Sequence, residues 1–410
     1  MGGTCLNVGC IPTKTLLYSA KQYYNALHAD KYGVTAEGVQ FDYGKMAQRK
    51  QKVVRKLVAG IKQRLKSELC TVVNAAAKVV SRTDEKVVIE AGGEQYEADN
   101  LLICTGSTNF VPPIPGVKDN AAVWDSTDAL AATVLPQSML IVGGGVIGME
   151  FATLYHELGV PVTVVEAMPQ ILPNLDPDVV KMLRDKYEKS GIRILTNTKV
   201  MALDGGKVTA QTAEGEELTL EAEHVLISVG RRSNLVGLEA LTDLVVNRGI
   251  TVDETMRTNL KNVYAAGDVT GKIMLAHVAS RQAEVAVANM LGKTDQTIDY
   301  NAIPSVVYTN PEIASVGRME KDLKEGEYEV RQLPMAYSGR FVAENEGETG
   351  LCKMLIDKDR HVIGVHMLGN PCSEFVAAAS FAVRMGYTIE QTEQVVFPHP
   401  TVSEILKEIL

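Results

Sequence analysis

Residues 138–167 read SMLIVGGGVIGMEFATLYHELGVPVTVVEA. An apolar strand, MLIV, enters a glycine turn, passes into an apolar helix and returns as a second strand ending at Glu166. Gly143, Gly145 and Gly148 therefore form GxGxxG in the strand–turn–helix context that gives the pattern its meaning. The first glycine makes the turn and the second lets backbone approach a pyrophosphate. The third lets helix and strand pack closely, and the helix N-terminus then faces the phosphates. Glu166 lies 166 − 148 = 18 residues past the last glycine, where a carboxylate accepts both ribose hydroxyls. It would repel a 2′-phosphate, and the following AMPQ holds no Arg to receive one, so NAD is expected rather than NADP. The bland alternative is a tight strand–helix turn without a ligand.

Outward from this unit, the 410-residue chain is too long for one core and predicts two to four domains. It is 46% hydrophobic and 22% charged, as a globular protein is, with a net charge of −9. No dense basic run points to nucleic acid, no apolar stretch is long and clean enough for a membrane span, and no secretory signal opens the chain. The expected compartment is the cytosol. Tyr43 to Leu69, rich in Lys, Arg, Val, Leu and Ala without Pro, predicts a long amphipathic helix. Strands are expected in TVVNAAAKVV, KVVIEA and NLLICTG, and a helix from Ala276 to Leu291. Pro112, Pro113 and Pro115 mark a crossover, and an α+β unit is expected from Asn301.

Of the six cysteines, Cys70, Cys104 and Cys352 sit in apolar segments that suggest core packing, and Cys372 sits in a turn-like GNPCSE. Cys5 and Cys10, in MGGTCLNVGC, are spaced at the edge of the zinc range with no second pair to complete a site. Two unpaired structural thiols are a second reading. A redox pair is the main one, with glycines that would let backbone approach a flat cofactor. No metal site is expected.

GGTCLNVGCIPTK, with ICTGS, VGGGVIGMEFA, SVGRRSN, YAAGDVTG, LAHVASRQ, IPSVVYTNPEIASVG and HPTVSE in order, resembles the FAD-dependent pyridine nucleotide–disulfide oxidoreductases over nearly the whole chain. It is most similar to those members that oxidise dihydrolipoyl groups. The resemblance implies an α/β fold with two Rossmann-like domains and a C-terminal α+β dimerisation domain. The implied FAD-binding domain is 1–117 and 244–300, the NAD-binding domain 118–243, and the dimerisation domain 301–410. Cys5 then corresponds to the interchange thiol that meets substrate and Cys10 to the thiol that faces the flavin. Lys14 is implied beside flavin N5 with Glu150 as its carboxylate partner. Thr105, Gly106 and Ser107 form the TGS turn near FAD, and Asp268 binds the ribityl chain. Met274, Leu275, Ala276 and His277 form the turn that meets the flavin pyrimidine, where a helix start would favour negative charge. Gly230 is implied near NAD, with Val200 backbone near the adenine. His399 and Glu404 in FPHPTVSEILKEIL correspond to the acid/base pair for the interchange thiol, given by the other subunit of a homodimer. Pro400 suits the first turn of a helix, with Glu404 one turn in. Phe397 departs from the family's common H-x-H-P.

The implied reaction is dihydrolipoyl oxidation coupled to NAD reduction. The implied partner is a lipoyl-bearing acyltransferase or carrier protein of a 2-oxoacid dehydrogenase or glycine cleavage complex. Glutathione and mercuric reductases are rivals, but they generally use NADPH, and mercuric reductases carry a C-terminal redox pair that KEIL lacks. The family also opens with a βαβ unit for the ADP half of FAD, whereas this sequence starts at the thiols, so an N-terminally truncated first domain with weak FAD binding is expected. That makes an inactive apo dimer binding NAD at most the remaining alternative.

Overall fold

The computed structural model describes residues 1–68, 70–293 and 296–410. Their contacts form two compact units, one of Met1–Pro12, Gln51–Phe110 and Gly230–Ile298, the other of Thr13–Lys50, Val111–Val229 and Asp299–Leu410.

The first unit holds the antiparallel sheet Ala77–Arg82, Val87–Ala91 and Glu94–Ala98. Only Ala77 onward of the expected TVVNAAAKVV strand pairs, and the third strand, EQYEA, was not anticipated. Its Glu and Gln hide the alternation, since only Tyr96 is partly covered. Leu101–Ile103 pairs in parallel with Val263–Ala265, and Ser107–Asn109 pairs antiparallel with Arg231–Ser233. The long helix spans Tyr43–Ser67, and its expected last residue, Leu69, lies outside the described residues.

The second unit is built on a parallel sheet in the order Val123–Trp124, His224–Ile227, Met139–Val142, Val162–Val165, Arg193–Leu195. All four residues of Met139–Val142 are buried, as expected for a strand covered on both faces. The helix Pro177–Ser190 is delimited by local chemistry. The Asp176 side chain accepts from Asp178 N at 3.0 Å, Pro177 occupies the first position, and Gly191 stops the helix at φ 107°. Its buried Val179, Val180, Leu183 and Tyr187 join the sheet core. Each such side chain contributes roughly 1.5–3 kcal/mol of burial. Further along, Ser305–Val307, Ile313–Gly317, Val362–Leu368, Leu351–Asp357 and Tyr328–Pro334 form an antiparallel sheet covered by the helix Cys372–Met385. No helix among the described residues is long and apolar enough to cross a membrane.

Three local expectations are corrected. Cys70 and Cys104 are exposed rather than in the core. Cys104 directly follows Leu101–Ile103, at the carboxyl end of a parallel strand, where α/β sheets open toward ligands. Cys372 is the first residue of a helix, and fully buried, rather than part of a turn. Pro400 precedes rather than begins a helix: the helical turn is Val402–Glu404, capped by Thr401.

Candidate active site

Cys5 and Cys10 are joined in a disulfide, with Cα atoms 4.6 Å apart. Cys5 lies on the short helix Gly3–Val8 and Cys10 opens the helix Cys10–Leu27. Gly9 makes the corner, at φ −143° and ψ −116°. A Cβ there would stand 3.0 Å from the Thr4 carbonyl oxygen and 3.2 Å from Cys5 Cα. A side chain would thus press the two helix ends apart, which is the physical reason for glycine between these thiols.

Lys14 lies four residues along the helix from Cys10, and its Nζ donates to both Glu150 oxygens at 2.8 Å. Glu150, 4% exposed, also accepts from Tyr308 N at 3.1 Å, and Lys14 Nζ stands 4.7 Å from the centre of the Tyr308 ring. Tyr308 was not anticipated. It lay within IPSVVYTNPEIASVG, but its role rests on a backbone amide, for which side-chain type gives no signal.

The three glycines of the turn differ in their surroundings. Gly143 adopts φ 105°, where an L side chain is strained. A Cβ on Gly145 meets nothing within 4 Å, so the backbone is open at the start of the helix Val146–Glu157. A Cβ on Gly148 would overlap the Gly143 carbonyl oxygen, which is the close packing expected of the third glycine. Glu166 accepts from Gly144 N at 2.6 Å and from Met168 N at 2.8 Å. Its carboxylate therefore ties the end of its own strand to the turn. Val200 is buried in the strand Thr198–Asp204, whose first amide donates to Glu166 O at 3.0 Å.

In the first unit, Ser107 Oγ donates to Asp268 Oδ2 at 2.5 Å. Thr105 Oγ1 donates to Asn234 O at 2.5 Å, and Gly106 sits at φ 72°. Arg231, which sequence reading passed over, holds this turn: Nε donates to Ser107 Oγ at 2.7 Å, Nη2 to Ser107 O at 2.9 Å, and Nη1 bonds Asn109. Its only signal was a place in SVGRRSN beside Gly230. Gly230 adopts φ 113°, with nothing within 4 Å of a would-be Cβ. Met274 and Leu275 lead into the helix Ala276–Met290, whose first residues Ala276 and His277 are exposed and whose cap residue offers no side-chain bond. Buried Gln282 on the same helix accepts from Gly267 N at 2.7 Å, fixing the turn that carries Asp268.

At the C-terminus, His399 Nδ1 donates to Glu404 Oε1 at 2.7 Å, while Glu404 Oε2 accepts from Thr401 N at 2.7 Å. The Thr401 amide, and then the imidazole, hold the Glu404 carboxyl below its ordinary range. Carboxylate and helical turn thus fix the ring from one side and leave Nε2 outward, with the His399 side chain 80% exposed.

These residues fit two nucleotide cofactors on structural grounds. An open, glycine-lined helix start in the second unit suits a pyrophosphate. In the first unit, exposed Thr105, the positive-φ Gly106, Asp268 and an exposed helix start suit a flavin.

Comparison with known proteins agrees. Residues 1–283 match the family described as pyridine nucleotide-disulphide oxidoreductase, and residues 303–410 match that family's dimerisation domain. A dihydrolipoyl dehydrogenase from Chlamydia muridarum is 37% identical over 414 residues, covering 99% of this chain and 88% of its own length. One from Bacillus subtilis is 36% identical, covering 100% and 90%. Among solved structures, LpdA from Mycobacterium tuberculosis superposes with a TM-score of 0.90 at 26% identity, covering 100% of this chain and 91% of that one. The HOCl-induced flavoprotein disulfide reductase RclA from Escherichia coli gives 0.84 at 26% identity, covering 100% and 91%.

Proposed function

Because the chain belongs to the pyridine nucleotide–disulphide oxidoreductases, we propose that it oxidises protein-bound dihydrolipoyl groups to lipoyl groups with reduction of NAD. The observation that carries this is the Cys5–Cys10 disulfide on a glycine corner, in a chain similar throughout to dihydrolipoyl dehydrogenases.

One substrate thiolate attacks Cys5 Sγ. The Cys5–Cys10 bond breaks, a mixed disulfide forms at Cys5, and Cys10 leaves as a thiolate. The second substrate thiol attacks the substrate sulfur of that mixed disulfide, closing the lipoyl ring and releasing Cys5. His399 takes the thiol proton on Nε2, because Nδ1 is committed to Glu404. Two electrons have then moved from the substrate dithiol to the enzyme dithiol. Bound FAD supplies the two-electron carrier, and NAD the hydride acceptor. Thr105, Gly106, Ser107, Asp268 and the helix start at Ala276 would hold the flavin. Gly143, Gly145, Gly148 and Glu166 would hold NAD, with Val200 and Gly230 beside it, and Lys14 and Glu150 would orient the reacting rings. Glu166, anchored by two amides, favours NAD over NADP.

The dimerisation domain supports a homodimer. In this reading the imidazole of one copy serves the thiols of the other, the dithiol is borne by a carrier or acyltransferase of a 2-oxoacid dehydrogenase or glycine cleavage complex, and the compartment is the cytoplasm. The test is the reduction of NAD by dihydrolipoamide with purified, FAD-supplemented protein. Turnover that needs dihydrolipoamide and prefers NAD is expected. No turnover, or preference for NADPH and another disulfide, would overturn the reading.

A further inference from the structure

The helix Tyr43–Ser67 carries nine Lys and Arg and no Asp or Glu, on a chain whose net charge is −9. In sequence these cations are interleaved with Val, Leu and Ala and form no run. At 100° per residue the helix gathers Lys52, Arg55, Lys56, Lys62 and Lys66 into an arc of about 120°. Val53, Val54, Val58 and Leu65, half-buried, take the opposite side together with exposed Leu57 and Ile61. All five cations are exposed, and none has an ion-pair or hydrogen-bond partner among the described residues. By contrast, Lys45 pairs with Asp42, Lys50 is buried against Leu130 O, and Arg64 lies 3.9 Å from Glu68. A single-sign stripe of this kind is unfavourable by self-repulsion and is offset when an opposite field meets it.

We propose that the Lys52–Lys66 stripe is a docking surface for the acidic face of the protein that carries the dithiol. This rests on the function proposed above, which makes the substrate a side chain of another protein. The stripe belongs to the same compact unit as the Cys5–Cys10 disulfide. A protein partner is favoured over a membrane because the cations lie on the side of the helix opposite its apolar residues, exposed Leu57 and Ile61 included, so a bilayer that took the apolar side would turn the charge away. It is favoured over nucleic acid because the stripe is one isolated helix face on an acidic chain. Complementary charge here would raise the association rate and orient the carrier, leaving the chemistry alone.

The test titrates a fluorescently labelled, acidic lipoylated carrier domain with the FAD-supplemented dimer and reads anisotropy, which does not depend on turnover. The five-site variant K52Q/R55Q/K56Q/K62Q/K66Q should weaken binding by about tenfold or more at low salt, with the difference collapsing at high salt. A second variant with Arg at the four lysines should bind like the native protein. KM for free dihydrolipoamide should be unchanged in both. Equal carrier binding by native and Gln variants would overturn the proposal. So would stripe-dependent binding of a DNA duplex or anionic vesicles without binding of the carrier. Failure of native protein to turn over free dihydrolipoamide would instead overturn the function, while anisotropy still decides the docking.

Discussion

Lys14 and Glu150, 136 residues apart in sequence, meet through two hydrogen bonds of 2.8 Å each. The carboxylate is nearly buried and the ammonium about a third exposed, so the pair is asymmetric. Glu150→Gln leaves the ammonium without its counter-charge. A stability loss of about 1–3 kcal/mol is expected, discounted for the solvent that reaches Lys14, and urea unfolding measures it. Turnover should fall as well, since the same pair is proposed to orient the reacting rings.

The two thiols should separate by spectrum. In FAD-loaded protein, Cys5→Ser and Cys10→Ser should each abolish dihydrolipoamide-dependent NAD reduction. Cys10→Ser should also lose the thiolate-to-flavin absorbance band on reduction, whereas Cys5→Ser should keep or strengthen it. The reverse pattern would exchange their roles.

His399→Gln should lower kcat/KM for dihydrolipoamide by about 10²–10⁴, the usual worth of a positioned acid/base. Glu404→Gln should cost less, about tenfold, because the ring keeps its place in the chain and loses its anchoring charge. NADH-driven reduction of an artificial dye bypasses the thiols and should stay at the native rate in both variants. Slowed dye reduction would mean damage beyond the imidazole.

Glu157 faces a small cleft with Tyr24, His156, Lys186 and Asn310. Burial pushes its carboxyl up to about 7, opposed by the Asn310 Nδ2 bond of 2.7 Å and the charges of Lys21 and Lys186. The folded state therefore holds this proton more tightly than the unfolded chain. The resulting stability is complete below the ordinary carboxylate range and is lost as pH rises through about 7. Relative to Glu157→Gln, which has no such proton, the native protein should lose up to about 3 kcal/mol between pH 5 and pH 8. Parallel urea curves for the two proteins across that range would refute this.

Glu166→Ala should narrow the preference for NAD over NADP, because it removes the charge that repels a 2′-phosphate. It also frees the Gly144 and Met168 amides, so a loss of about 1–3 kcal/mol should accompany the change. Steady-state assays with both nucleotides, alongside thermal unfolding, check the two effects separately.

The sequence by itself determined whatever depends on short spacing. GxGxxG between a strand and a helix dictates the backbone geometry at Gly143, Gly145 and Gly148, because a positive φ, open space and close packing are steric demands within six residues. Cys5, Cys10 and the glycine between them are equally local. The caps at Asp176 and Gly191 could also be read from neighbouring residues. Tertiary structure decided the rest. Arg231 holds Ser107 across 124 residues, Tyr308 offers an amide to Glu150 across 158, and Glu157 acquires its proton affinity from burial, which outweighs the opposing bond from Asn310 across 153. No periodicity encodes such meetings. The exposure of Cys104 follows from its place past a strand end, although its neighbours are apolar. The basic stripe lies between the two cases: its residues are plain in the sequence, but only the angular repeat of a helix turns interleaved lysines into one charged face.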